Sequence, residues 1–306
     1  MKRLFTFGCS YTYYMWPTWA DLLSVEYDHY ENWAQSGLGN RAIAERIAEC
    51  HAVNTLGKND TVIVQWSTHL RYDWHNEQFI TGKYNGWQTH GNAFTGVNAM
   101  NYDQKWYHRF FSERSWVMHT LNHVIATIGL LESTGCNWKM TSMGDLRKLG
   151  ADLEKETAFY EKITVSKKEK ETAEFPMWER YPEFKIYEDK IWKNNKWITP
   201  LNSVAAENED LYWWFKAPRD KEAWRESHPS PEQHQLWLNQ CLRPELGLAE
   251  IPVKQLSVIN KCKELKQVPS FMNVLEMEEY MMDYAAKQED RIFKDLHVWP
   301  NPRRGF

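Results

Sequence analysis

The order of predicted strands and helices constrains the fold of this chain more than any other feature of its sequence. Short segments with the length of strands are predicted at residues 3–8, 30–34, 61–66 and 137–143, and the first of them is an apolar run that suits a buried strand. Apolar residues at helical spacing predict helices at 17–25, 41–56, 112–131 and 231–242. Strands that alternate with helices in this way predict a parallel sheet with helices on both faces, which is the three-layer α/β class.

Two stretches interrupt this alternation. Residues 71–111 are polar and aromatic and contain glycines that break any period, so we predict a long excursion from the sheet. Residues 145–199 combine nearly balanced acidic and basic residues with few aliphatic ones, and we interpret them as an insertion or lid. Within this insertion, segments 181–186 and 190–198 predict a small hairpin around the Asn-Asn pair at 194–195.

These boundaries predict a discontinuous core domain. The core comprises residues 1–144 and 200–243, and the insertion separates its two parts. Residues 244–306 are predicted to form a C-terminal helical extension, with a helix at 274–294. No internal repeat is visible in the sequence.

Charge and hydropathy exclude several classes of function. The 306 residues carry a formal net charge of −4, so no basic surplus favours nucleic acid or anionic lipid as a partner. The chain has no run of about 18 apolar residues, the length that a membrane-spanning helix needs. The first apolar run stops at Gly8, too early for the apolar core of a secretory signal. We therefore expect a soluble, cytoplasmic protein that binds neither nucleic acid nor membrane.

The cysteines predict free thiols. They are odd in number and widely scattered, without the spacing of a zinc site, at Cys9, Cys50, Cys136, Cys241 and Cys262. Cys9 is interpreted as a small core residue, with a nucleophile as the alternative. We expect neither a metal nor a cofactor.

The first candidate for chemistry is Ser10, which follows the first predicted strand directly. Ligands bind outside the carboxyl ends of the strands in open α/β sheets, so a hydroxyl at this position lies at the reactive edge. Gly8 permits a tight exit from the strand. The alternative interpretation is that Ser10 caps the next helix.

The second candidate is His228, just before the predicted helix at 231–242. Pro229 restricts the backbone after it, so the imidazole can be held toward a neighbouring strand end. A nucleophilic serine needs a base within hydrogen-bond reach, and that base needs an orienting acceptor. Glu226, two positions before His228, is the candidate acceptor.

Three blocks of the sequence, in this order, resemble those of the SGNH (GDSL-like) hydrolases. The blocks are Gly8-Cys9-Ser10-Tyr11-Thr12, Asn32-Trp33-Ala34-Gln35-Ser36-Gly37, and His228-Pro229-Ser230 with His234 shortly after. The first block is similar to a variant seen in some bacterial and phage members. The resemblance covers about residues 1–143 and 220–242, and it implies a flavodoxin-like α/β/α fold.

The resemblance implies a role for each matched residue. Ser10 would be the nucleophile and His228 the general base. The family's acid usually stands three residues before the histidine, where this chain has Arg225, and the role is therefore placed on Glu226. Backbone amides of Ser10 and Gly37 would form part of an oxyanion hole.

One family block is absent. Members usually follow the third strand with Gly-x-Asn-Asp, whose asparagine donates the remaining hydrogen bond to the oxyanion. Here the third strand runs into Trp66-Ser67-Thr68-His69-Leu70-Arg71, without an asparagine. Four residues are candidate replacements for that donor: Ser67, His69, Arg71 and, in the neighbouring loop, Asn40.

The seventeen tryptophans predict a binding surface for rings. Many lie in the excursion, in the insertion or beside His228. Indole faces stack on sugar rings, which favours a glycan substrate, and Trp213-Trp214 is the pair predicted to bind it. The alternative is that these rings attach long loops to the sheet, since tryptophan is highly buried on average.

Two hypotheses follow. The first is a serine esterase that removes O-acyl groups, notably O-acetyl groups, from a carbohydrate or similar small ester through an acyl-Ser10 intermediate. The second is a non-catalytic glycan-binding or structural protein, such as a virion or tail component, that keeps the fold without turnover. The expected partners are a small ester or glycan substrate, and the protein would belong to a homo-oligomer or to a virion assembly.

Overall fold

Strands and helices alternate along the described part of the chain. The structure, a computed structural model, describes residues 1–14, 16–69, 71–75, 87–90, 112–149, 175–216, 223–225 and 228–265. The strands are β1 (Arg3–Phe7), β2 (His29–Asn32), β3 (Asp60–Trp66), β4 (Tyr72–His75), β5 (Trp87–His90), β6 (Asn137–Ser142), β7 (Lys148–Leu149), β8 (Phe175–Pro176), β9 (Trp214–Lys216) and β10 (Ala223–Arg225). The helices are α1 (Trp19–Ser24), α2 (Asn40–Asn54), α3 (Glu113–Thr134), α4 (Met177–Arg180), α5 (Ile186–Ile191), α6 (Leu201–Glu207), α7 (Pro231–Trp237), α8 (Arg243–Glu245) and α9 (Val253–Leu265), with 3-10 turns at Pro182–Lys185 and Glu209–Leu211 and a π turn at Leu238–Leu242.

The central sheet has the strand order β2-β1-β3-β6, and all neighbouring strands are parallel. Thr6 of β1 lies opposite both Asn32 of β2 and Ile63 of β3, and Ile63 lies opposite Lys139 of β6. The carboxyl ends of the four strands therefore meet at one edge. The predicted fold class, a parallel α/β sheet with covering helices, is confirmed.

The helices form two layers. From β1 the chain passes through α1 to β2 on one side, and from β2 it returns through α2 across β1 to β3. Right-handed crossovers in opposite directions place α1 and α2 on opposite faces of the sheet. Consistently, α2 packs against α3, whereas α1 packs against α7 and α9. The direction of winding reverses between β1 and β3, where a crevice opens at the carboxyl edge.

The sheet forms the core because its middle strands are buried on both faces. Val62, Ile63, Val64 and Trp66 of β3 have no exposed surface. Parallel strands covered on both sides are continuous apolar runs, which is the pattern that predicts this strand. Each such aliphatic side chain contributes about 1.5–3 kcal/mol relative to an exposed position.

The hairpin predicted within residues 181–198 is wrong. The chain forms a 3-10 turn and α5 there, with Phe184 and Ile191 buried. The Asn194 side chain donates to the Ile191 carbonyl oxygen at 2.8 Å, so it ends a helix instead of turning a hairpin. Trp197 forms an isolated parallel bridge with Met140, which extends the sheet beyond β6.

The described part of the predicted insertion packs on α3. Arg180 donates to both carboxylate oxygens of Glu113, at 2.9 and 3.0 Å, and Tyr181 donates to the same group at 3.1 Å. The predicted excursion contains a short antiparallel pair, β4 with β5. The helix predicted at 274–294 lies outside the described residues, and the domain boundaries stay predictions. Among the helices that the structure describes, none is both long and apolar enough to cross a membrane.

Candidate active site

Ser10 and His228 meet at the carboxyl edge of the sheet. His228 Nε2 lies 3.0 Å from Ser10 Oγ, although 218 positions separate the two residues. Ser10 lies in a turn directly after β1, in which the amides of Thr12 and Tyr13 both donate to the Cys9 carbonyl oxygen at 3.0 Å. The two atoms are within hydrogen-bond distance, which is the contact that a serine nucleophile needs with its base.

The turn that carries Ser10 is fixed from three sides. Thr12 Oγ1 donates to Gln65 Oε1 of β3 at 2.8 Å, and Asn32 Nδ2 of β2 donates to the Thr12 carbonyl oxygen at 2.9 Å. Trp19 Nε1 of α1 donates to the same Gln65 oxygen at 3.2 Å. A Cβ atom on Gly8 would lie 2.1 Å from Thr12 Oγ1, so the strand exit requires glycine.

The imidazole of His228 is held between aromatic rings. Tyr14 stacks on it with ring centroids 4.0 Å apart and an interplanar angle of 22°, and Tyr11 meets it edge-on at 5.6 Å. Trp16 Nε1 donates to the Pro229 carbonyl oxygen at 3.1 Å and so fixes the next residue. The following Ser230 begins α7 through a reciprocal capping box. The half-buried ring is therefore oriented before any substrate binds.

The geometry suits proton transfer from Ser10. When Nε2 accepts the Ser10 hydroxyl proton, Nδ1 carries the other ring hydrogen, and an acidic acceptor orients the ring through it. Glu226, the predicted acceptor, lies outside the described residues, and its role stays a prediction. The face of Tyr14 lies over this ring, and aromatic faces attract cations. Cys9 is fully buried against Met143, which confirms its interpretation as a core residue.

Gly37 lies in a turn attached to the end of β1. Its φ of +85° is in the region that favours glycine, and the Leu38 amide donates to the Gln35 carbonyl oxygen at 3.2 Å across the turn. The Gln35 amide donates to the Gly8 carbonyl oxygen at 3.2 Å. Within the described part of the chain, the amides of Ser10 and Gly37 donate to no protein group. Both amides are therefore available to a ligand.

The structure gives Asn40 and Ser67 structural partners. Asn40 Oδ1 accepts from the Ser67 amide at 2.8 Å, and its Nδ2 donates to the carbonyl oxygens of Ser67 and Thr68 and to Thr120 Oγ1 at 3.1–3.2 Å. The Asn40 side chain thus fixes the loop after β3 to α3. The buried Ser67 hydroxyl faces Met143 Sδ at 3.6 Å. Neither side chain is therefore positioned to donate a hydrogen bond to an oxyanion.

His69 and Arg71 differ in their placement. His69 Nε2 lies 2.7 Å from the Leu146 carbonyl oxygen, and burial lowers the pKa of this histidine to about 4, so it is neutral. Arg71 Nη1 donates to the carbonyl oxygen of Leu38, next to Gly37, at 3.2 Å. The Arg71 charge also opposes the rise that burial imposes on the pKa of Tyr11, which contacts His228. Of the four predicted donors, Arg71 lies at the Gly37 turn.

Asp73 fixes the start of α2, close after the Gly37 turn, and the sequence does not reveal this role. Its fully buried carboxylate accepts from the amides of Gly39 at 2.7 Å and Ala42 at 3.0 Å, at the start of α2. Burial raises the pKa of Asp73 to about 6, and these amides and Arg71 oppose the rise. A Cβ atom on Gly39 would lie 2.7 Å from Asp73 Oδ2, so the contact is close. No local pattern marks Asp73, because its partners come from a distant helix.

Trp213 does not form the open ring surface predicted for it. It is 2% exposed, its ring centroid lies 4.9 Å from that of Trp16, and its Nε1 donates to Glu232 Oε2 at 3.1 Å. The indole therefore packs against the segment that carries His228. This is the alternative role predicted for the tryptophans, in which their rings attach loops to the sheet. The backbone of Trp214 lies in β9, and its side chain is outside the described residues.

Comparisons with known proteins give one distant match. No protein-family model and no curated protein matches the chain. Among solved structures, the chain is similar to a member of the lipolytic protein G-D-S-L family from Veillonella parvula DSM 2008. The two share 11% identity with a TM-score of 0.38, over 78% of this chain and 94% of that one. An identity and a TM-score at this level support no conclusion about function. The roles considered for individual residues rest on the geometry of their side chains.

Proposed function

We propose that the protein is a serine hydrolase that cleaves ester bonds through an acyl-Ser10 intermediate. The observation that carries the proposal is the 3.0 Å contact between Ser10 Oγ and His228 Nε2 at the carboxyl end of β1. Two features support it further. The imidazole is oriented by Tyr14, and the Ser10 turn is fixed by side chains from three elements.

The proposed reaction has two steps, acylation of Ser10 and hydrolysis of the acyl-enzyme. Ser10 Oγ attacks the ester carbonyl carbon while its proton passes to His228 Nε2, and the alcohol leaves with that proton. Water then attacks the acyl carbon and gives a proton to His228 Nε2. The bond from that carbon to Ser10 Oγ breaks, His228 returns the proton to Ser10 Oγ, and the acid leaves. The available amides of Ser10 and Gly37 donate to the oxyanion, each worth about 3–4 kcal/mol in comparable sites. Arg71, beside the Gly37 turn, adds positive charge there.

The proposed substrate is an O-acyl ester, notably an O-acetyl ester, of a carbohydrate. The composition supports this choice, because the chain is rich in tryptophan, whose indole faces stack on sugar rings. Trp213 is excluded from the open surface by its burial, so the ring contacts must come from other residues.

Hydrolysis of an aryl acetate tests the proposal. Ser10→Ala is expected to reduce the rate to that of the uncatalysed reaction, and His228→Ala to reduce it by at least a hundredfold, about the contribution of a general base. Ser133→Ala is the matched control, since that serine is exposed at the end of α3 and bonds only to the Leu130 carbonyl oxygen within the described region. Equal rates for wild type and Ser10→Ala contradict the proposal.

A non-catalytic glycan-binding or structural role is the second candidate. The observation that favours it is the engagement of Asn40, Ser67 and His69 with structural partners, which leaves the oxyanion position without those side-chain donors. Folded wild-type protein that hydrolyses no ester in the assay above supports this second candidate.

A further inference from the structure

A cleft outside the Ser10 site opens at the carboxyl end of β6. Its volume is about 330 Å³, which is in the range of small-molecule sites. The residues that line it come from the end of β6, from the segment after α5 and from the start of α6: Ser142, Asp145, Arg147, Trp192, Trp197, Ile198, Thr199, Pro200 and Ser203. None of these residues belongs to the nucleophile, base or oxyanion groups described above.

The cleft and the Ser10 site share a thin partition. Met143 and Asn202 lie on the Ser10 side of it, because Met143 Sδ contacts Cys9 Sγ at 3.2 Å and the Asn202 side chain bonds to Tyr11. The Asn202 amide donates to the Met143 carbonyl oxygen at 3.0 Å. The residues next to them in the chain, Ser142 and Ser203, line the cleft. The cleft and the Ser10 site are therefore neighbours along the carboxyl edge of the sheet.

The lining combines aromatic rings with paired charges. The rings of Trp192 and Trp197 lie 5.7 Å apart at an interplanar angle of 47°. Trp197 Nε1 is buried and has no hydrogen-bond partner in the described part of the protein. Arg147 donates to both oxygens of Asp145 at 2.8 Å, and the two charges offset each other. The cleft thus offers ring faces and a neutral ion pair.

This chemistry fits a neutral sugar ring. Indole faces pack against the C–H face of a pyranose, and the Asp145–Arg147 pair presents acceptor and donor atoms to its hydroxyl groups. A long acyl chain is disfavoured because hydroxyl and charged groups occupy much of the lining. A charged sugar is disfavoured because the paired ions leave no net charge to bind it.

We propose that this cleft is a pyranose subsite that binds the sugar of an ester whose acyl group is cleaved at Ser10. The inference rests on the proposed function, and it names the substrate class of that site. Trp192 is its principal ring contact, supplied by the segment that the sequence predicts as an insertion.

Two substrates separate the subsite from the Ser10 chemistry. Trp192→Ala is expected to lower kcat/KM for acetate release from methyl 6-O-acetyl-β-glucopyranoside, which keeps free hydroxyl groups, about tenfold, the usual effect of losing an aromatic anchor. Hydrolysis of 4-nitrophenyl acetate, which has no sugar ring, should stay unchanged. Trp178→Ala is the matched control, since that ring contacts Lys185 at 4.4 Å and does not line the cleft, and it should change neither activity.

A second variant fills the cleft without removing an aromatic ring. Ser203→Trp, at an exposed position on α6, should cause the same selective loss as Trp192→Ala. Equal losses on both substrates, or no loss on either, overturn the subsite.

Binding without turnover distinguishes this proposal from the proposed function. Methyl β-glucopyranoside should give saturation-transfer NMR signals with Ser10→Ala protein, and these should disappear in Ser10→Ala with Trp192→Ala. If these binding results are obtained and the wild-type protein hydrolyses no ester, the subsite is supported and the esterase proposal fails. Ester hydrolysis without sugar binding, and without a selective loss in Trp192→Ala, means the reverse.

Discussion

Tyr14 has the closest ring contact with His228 and should therefore influence its chemistry directly. The two centroids are 4.0 Å apart, which places the tyrosine face over the ring that accepts a proton in the proposed reaction. A cation over an aromatic face gains about 0.5–2 kcal/mol, depending on desolvation. This contact is a means of stabilising the imidazolium in addition to any acidic partner.

Replacing Tyr14 tests this contribution. Tyr14→Leu is expected to lower kcat for aryl acetate about tenfold with little change in KM, because ring contact with the imidazolium is lost. Tyr14→Phe keeps the ring and should retain kcat within about threefold. Stopped-flow or steady-state rates across pH 5–9 supply both values. A Tyr14→Leu enzyme with wild-type kcat and an unchanged pH profile excludes a role for the stacked ring.

Single residues differ in how far the sequence reveals them. Ser10 and His228 are visible because each lies next to a strong local signal, Ser10 just after a strand end and His228 just before a helix start, and the structure brings them together. Asp73 and Tyr14 are not visible, since their importance comes from contacts with distant elements. The position of Asn40 in the sequence suggests an oxyanion donor, and only its hydrogen bonds show that it fixes a loop.

At the scale of elements, strands can be predicted more safely than short helices. The four sheet strands lie within a few residues of the predicted segments. β1 and β3 are recognisable because a parallel strand buried on both faces is apolar along most of its length, whereas β2 and β6 carry several polar residues. The segment 181–198 is ambiguous because its apolar residues suit either a hairpin or an amphipathic helix. Its helical outcome depends on packing of α5 against α3, which local sequence does not encode.

Two glycine substitutions test how these elements are built. In Gly8→Ala the new Cβ would lie 2.1 Å from Thr12 Oγ1 and 3.1 Å from the Gln65 carbonyl oxygen, so the turn after β1 must shift. We expect a loss of stability of at least about 1 kcal/mol and a large loss of aryl acetate hydrolysis. Thermal unfolding and steady-state rates measure the two effects.

Gly129→Ala is the matched control within α3. A Cβ atom at this position would meet no neighbouring element of the described chain within 4 Å, and alanine favours a helix interior over glycine by about 0.5–1 kcal/mol. This variant should unfold at a slightly higher temperature and keep full activity. A Gly8→Ala protein that matches Gly129→Ala in both respects contradicts the close packing assigned to the strand exit.

At the scale of the whole molecule, two buried histidines make stability depend on pH. Burial lowers the pKa of His69 to about 4 and that of His234 to about 3, whereas both titrate near 6.5 when unfolded. The unfolded chain therefore binds more protons below pH 6.5, and stability is lost as pH falls from 6.5 toward 4. Asp73, whose pKa is raised, acts in the opposite direction between about pH 4 and 6.

His69→Gln isolates one of these contributions. Glutamine can still donate to the Leu146 carbonyl oxygen but does not titrate, so the variant should lose about 3 kcal/mol less stability than wild type between pH 7 and 4. Denaturant unfolding at several pH values gives the free energies to compare. Parallel curves for the two proteins across this range mean that His69 is not held neutral by burial.

The pairing of Ser10 with His228 is the central claim, and covalent labelling tests it most directly. Folded wild-type protein is treated with a fluorophosphonate that reacts with activated serines, and intact mass followed by peptide mapping locates the adduct. We predict one adduct, on Ser10, absent from Ser10→Ala and formed at least a hundredfold more slowly in His228→Ala. An unlabelled wild-type protein, or an adduct that persists in Ser10→Ala, contradicts the account.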